Sequence, residues 1–71
     1  MSKVYLLAVN WEKMKTTDDK LVWLRSYDAH TGNDILGFTS NFDIKEWRIY
    51  AFTTKRERYN VVDNIFKKGD L

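Results

Sequence analysis

With no cysteine anywhere in its 71 residues, this chain has neither a disulfide nor a thiolate metal site to hold it together. A domain of this size buries only about 60% of the surface its unfolded form exposes. The fold must therefore rest on efficient burial of its own side chains, or on a partner subunit. Three tryptophans, four tyrosines and four phenylalanines are the material for that core, since each ring removes about 150–250 Å² from water when buried. A single domain over 1–71 is the expected organisation.

The lack of cysteine fits a cytoplasmic protein. The run Val4–Val9 is too short and too soon polar for a signal peptide, and no stretch nears the roughly 20 apolar residues of a membrane span. A soluble, cytoplasmic protein without membrane contact is expected.

No proline interrupts the chain, which favours unbroken ladders. Lys3–Met14 opens with the β-formers Val4, Tyr5, Leu6, Leu7, Val9 and Trp11, and its continuous apolar run Val4–Val9 reads as a strand buried on both faces. Thr16–Asp19 reads as a turn of short polar side chains that bond their own backbone. In Lys20–His30, period-2 alternation puts Leu21, Trp23, Arg25 and Tyr27 on one face of a second strand. Thr31-Gly32-Asn33-Asp34 has turn chemistry. Ile35–Ser40 reads as a short third strand, with Gly37 at a bulge or close approach.

Asp43 and Glu46 are spaced as a helix-opening capping box. The β-branched and aromatic run Trp47–Thr54 instead favours a fourth strand, so 43–52 stays open between helix and strand. Arg56–Lys68 reads as a helix, with Tyr59, Val62, Ile65 and Phe66 on one face, Lys67 and Lys68 complementing its dipole and Gly69 beyond its end. The expected fold is mainly β with one C-terminal helix: an α+β antiparallel meander of about four strands, OB-like or a partial barrel, the helix on one face.

Catalysis finds little support. His30 stands alone beside a turn, and no serine lies in a nucleophile elbow. Asp18-Asp19 and Asp28 with Asp34 lack the spaced oxygen ligands of a calcium loop, and no glycine-rich phosphate loop occurs. No enzyme activity, metal or cofactor is expected.

Charge and rings point elsewhere. The net charge is only +2, yet between Ile44 and Gly69 seven cations stand against three anions. Trp23, Arg25 and Tyr27 alternate on the second strand. On the fourth, Arg48, Tyr50 and Phe52 share a face, with Trp47 on the other, and Lys55, Arg56 and Arg58 follow. Flat rings stack on bases and cations attract phosphate, a combination suited to single-stranded nucleic acid. The same rings would also serve as an ordinary core.

Glu46-Trp47 leading to Ile49-Tyr50-Ala51-Phe52, and then Val61-Val62-Asp63-Asn64-Ile65-Phe66-Lys67-Lys68-Gly69, resembles part of the OB-fold single-stranded DNA-binding proteins of bacteria and phages. The similarity covers residues 46–69. It implies a base-stacking role for Trp47. It also implies a barrel that is partial, or completed by a partner, because the strands that follow the Lys-Gly step in that family are not among these residues.

The leading expectation is a small non-enzymatic nucleic-acid-binding module that prefers single-stranded DNA. Its site residues are Trp23, Arg25, Tyr27, Trp47, Arg48, Tyr50, Lys55, Arg56 and Arg58. The alternative is a small phage or mobile-element protein-interaction module, an inhibitor or adaptor, because tryptophan, tyrosine and arginine also dominate protein hot spots. An open strand edge would then pair with a partner protein or with a second copy in a homodimer.

Overall fold

The computed structural model describes residues 3–68. The described chain is α+β, with a three-stranded antiparallel sheet of order β2-β1-β3. The strands are β1 (Val4–Val9), β2 (Leu24–Ala29) and β3 (Arg48–Phe52). The α-helices are α1 (Trp11–Thr16), α2 (Gly32–Thr39) and α3 (Lys55–Lys68), and a turn of 3₁₀ helix, Lys20–Trp23, precedes β2. Because β1 lies between and antiparallel to both neighbours, β2 and β3 run parallel to each other. The chain passes from one edge to the other through α2.

Strand β1 forms where the sequence is continuously apolar, and it is central: Leu6, Leu7, Ala8 and Val9 are all buried. Its pairing sorts the side chains of the sheet. Tyr5, Leu7 and Val9 share a face with Leu24, Ser26 and Asp28 of β2 and with Arg48, Tyr50 and Phe52 of β3. On this face Leu7, Val9, Leu24, Met14 of α1 and Ile65 of α3 make the core. Trp11, Trp23, Tyr50, Phe52, Val61 and Val62 pack around it.

Leu6 and Ala8 point to the opposite face, with Arg25, Tyr27, Ile49 and Ala51. That side carries α2, joined to the sheet by a string of rings. Tyr27 stacks on Phe38, Phe38 touches Phe42, Phe42 touches Trp47 and Trp47 touches Trp23, with centroids 4.7–6.1 Å apart. Helices therefore meet both faces, not one.

Several sequence expectations are corrected. Among the described residues the strand count is three, because Ile35–Ser40 is not a strand; most of it belongs to α2, which begins in what reads as a turn. The Thr31 hydroxyl accepts from the Asp34 N–H while the Asp34 carboxylate accepts from the Thr31 N–H. That reciprocal box satisfies donors a helix start leaves open. Gly37 is thus a helix residue rather than a bulge.

The first strand spans Val4–Val9 as expected, and Asn10 ends it by capping α1, its side chain accepting from the Lys13 N–H. The second starts only at Leu24, after the 3₁₀ turn that Asp19 caps. Asp43 opens no α-helix; it accepts from the Lys45 N–H in a tight turn, and the strand reading of the following run is the one observed. In α3 the sheet-facing residues include Arg58, Val61, Val62 and Ile65. Tyr59 and Phe66 are exposed, at 66% and 43%. Gly69 lies outside the described residues.

Candidate nucleic-acid interface

The register separates the two aromatic–arginine groups. Arg25 and Tyr27 lie on the α2 face, whereas Arg48, Tyr50 and Phe52 lie on the α3 face. They share no single stacking surface.

On strand β2 the exposed Arg25 is held to the backbone beneath it. The Arg25 guanidinium Nη1 donates to the carbonyls of Leu21, Val22 and Leu24 at 3.2, 2.8 and 2.9 Å. It closes the 3₁₀ turn beneath it. Trp23 is packed against the core, and its indole Nε1 is buried without a hydrogen-bond partner. Tyr27 is 43% exposed.

Arg58 is also engaged internally. Its Nη1 donates to Asp28 Oδ1 at 2.6 Å and to the Tyr27 carbonyl at 3.3 Å, and its guanidinium lies over the Tyr5 ring. Chiefly through this hydrogen bond, the Asp28 carboxyl is held below the usual aspartate range; burial opposes it next, and attraction to the Arg58, Lys55 and Lys3 charges adds to the lowering.

A different set meets at the β3 edge. Tyr50 and Phe52, two apart on one strand, hold their rings 6.4 Å apart and 19° from parallel, and each keeps part of its surface open. The Tyr50 hydroxyl accepts from Trp11 Nε1 at 3.0 Å, which fixes the ring's position. Arg48, at the start of the strand, is exposed on the same face. Lys55 and Arg56 are exposed just past its end. Trp47 precedes the strand, half-buried between Phe42 and Trp23.

The loop between β3 and α3 is rigidly capped. The Thr54 hydroxyl accepts from the Glu57 N–H, and the Thr53 and Thr54 hydroxyls both donate to Glu57 Oε1. These bonds hold the Glu57 carboxyl below the usual glutamate range. They also set the positions of Lys55 and Arg56.

The sequence reading does not single out Phe38 and Phe42, although their i, i+4 spacing is a helical signal once Ile35–Ser40 is read as helix. Nor does it include Phe52 among the site residues, despite placing it on the face of Tyr50. Among the described residues no group of three or more His, Asp or Glu is arranged to hold a metal ion, and no helix is long and apolar enough to cross a membrane. Comparison with family models, curated proteins and solved structures finds no match to this chain.

Proposed function

We propose that the protein is a small nucleic-acid-binding module that prefers single-stranded DNA and carries the strand along the β3 edge. The observation that carries this reading is the near-parallel pair Tyr50 and Phe52, flanked by exposed Arg48 on one side and exposed Lys55 and Arg56 on the other. A spacing of 6.4 Å between rings is well beyond the roughly 3.4 Å rise per step of a duplex strand. Bases laid on both rings belong to a drawn-out single strand.

Lys55 and Arg56 support the same reading. They occupy the first turn of α3, the positive end of the helix dipole, where anions rather than cations stabilise. Helix stability gives no reason for them there, whereas phosphate binding does. The resemblance of residues 46–69 to OB-fold DNA-binding proteins adds Trp47 beside this edge. An OB-like closure would then come from strands added by a partner at the open edges. A cysteine-free chain suits the reducing cytoplasm.

The test is fluorescence anisotropy with a labelled oligothymidylate and a matched duplex, using wild type and Lys55→Glu/Arg56→Glu. The expected result is tighter binding of the single strand, with a salt slope that falls by about 1 for each phosphate contact removed. Unchanged affinity and slope in the double variant would sink the assignment.

A protein-interaction role is favoured by a separate observation. The open edge of β2 lies beside exposed Leu21 and Val22, and Phe66 is exposed on α3. These suit an added strand from a partner protein or a second copy. Leu21→Asp/Phe66→Asp would then abolish partner capture, or dimerisation measured by sedimentation, and leave oligonucleotide affinity intact.

A further inference from the structure

On the face of the sheet opposite the Tyr50–Phe52 pair, Tyr27, Asn33, Asp34, Gly37, Phe38 and Asn41 line a depression of about 310 Å³. Tyr27 and Phe38 stack 11° from parallel with centroids 5.7 Å apart, giving it an aromatic side. Gly37 leaves the adjoining helix surface bare, since a Cβ placed there would meet nothing within 4 Å.

The polar groups around this side are only partly used. Asp34 Oδ2 accepts from the N–H groups of His30 and Thr31, and Asn41 Nδ2 donates to the Gly37 carbonyl. Among the described residues, the Asn33 amide and Asn41 Oδ1 have no partner in the protein, so donor and acceptor groups stand beside a stacking surface. Among the described residues no lysine or arginine lines the depression. Its volume is at the low end of the about 300–1,000 Å³ typical of small-molecule sites, enough for one ring system. A carboxamide supplies the paired donor and acceptor that match the edge of a base.

We infer that this depression binds a nucleobase, laid against Tyr27 and Phe38 and read by Asn33 and Asn41. The ligand is either a free nucleoside or one unpaired base of a bound strand. Only the second source rests on the function proposed above.

The experiment is a ¹H–¹⁵N NMR titration of the intact chain with each of the four deoxynucleosides, and separately with a short mixed-sequence oligonucleotide. The Asn33 and Asn41 side-chain amide signals are expected to move and saturate. Gly37→Leu, which fills the depression, and Tyr27→Ala, which removes one of its rings, each weaken binding by about tenfold or more. Gly37→Ala is the control for the helix, with a folded spectrum and binding retained.

A response to nucleosides identifies a free-nucleoside site. A response to the oligonucleotide alone, lost in Tyr27→Ala, identifies a base of a strand. Silence of both amides with every ligand, or wild-type affinity in Gly37→Leu, overturns the inference. Lys55→Glu/Arg56→Glu leaves the nucleoside response unchanged, so failure of the β3-edge reading is scored separately.

Discussion

Arg58 of α3 donates to Asp28 of β2 across a 2.6 Å contact, and this pair fixes how the C-terminal helix sits on the sheet. The Arg58 side chain retains only 11% exposure while Asp28 keeps 32%, so the arginine is the member that depends on its partner. Arg58 also contacts the Leu6 and Tyr27 carbonyls and the Tyr5 ring. One side chain thus ties α3 to β1 and β2 together. In place of an apolar residue the helix buries a cation, and its sheet-facing stripe is set accordingly.

Replacing Asp28 by Asn keeps the shape and removes the charge. It should destabilise the fold by about 1–2 kcal/mol, less than a fully buried pair would cost because Asp28 is partly solvated. Urea denaturation measures this. The Asp28 carboxyl titrates lower in the folded chain than in the unfolded one, so the contribution of the pair is complete above the ordinary aspartate range, near pH 4. It is lost as the pH falls through the lower folded value. Asp28→Asn should flatten that part of the profile of Tm against pH; an unchanged profile would place the acid sensitivity elsewhere.

The cap of α3 makes a second, separable contribution. Thr54→Ala removes the hydroxyl that accepts the Glu57 N–H and donates to the Glu57 carboxylate. The expected cost is about 1 kcal/mol, read by denaturation and by faster amide exchange at residues 55–58. Glu57 also titrates below its ordinary value. Only the bonds that the carboxylate accepts carry this dependence: they are complete above the ordinary glutamate range and lost as the pH falls through the lower folded value.

Two tryptophans should respond differently to loss of the indole N–H. Trp11 donates to the Tyr50 hydroxyl, whereas Trp23 Nε1 is buried without a partner. Trp11→Phe gives up a hydrogen bond, while Trp23→Phe relieves an unsatisfied donor. Trp11→Phe should therefore be the more destabilising by about 1 kcal/mol, as thermal unfolding of the two variants would show.

Much of the sheet and the last helix was legible because each signal is local. Val4–Val9 has the uninterrupted apolar run of a strand buried on both faces, and Val62 and Ile65 carry helical spacing. Helix α2 reads as a turn and a strand in the sequence because Gly32 and Asn33 have turn chemistry and Gly37 is a poor helix former. The decisive feature, the Thr31–Asp34 box, is present in the sequence, but the turn reading of these residues does not include it. The β3 rings and the cations after them were visible as a pattern. What the sequence hid was engagement at a distance: Arg58 meets Asp28 across 30 positions of chain. The face on which each ring lies followed only from the pairing of β1.

A change at the start of α3 should separate stability from binding. Arg56 is exposed in the first turn, where a carboxylate would suit the dipole. Arg56→Glu should raise stability by about 0.3–1 kcal/mol and weaken oligonucleotide binding. Denaturation and anisotropy on the same preparation check both parts; loss of both would mean that Arg56 serves the fold.

The most direct measurement is a ¹H–¹⁵N chemical-shift map of the protein titrated with a short single-stranded DNA at low salt. A strand bound along β3 should give saturating shifts concentrated at residues 48–56, fading as salt rises and weak with a matched duplex. No shifts there, or shifts confined to Leu21, Val22 and Phe66, would contradict it and turn attention to the β2 edge.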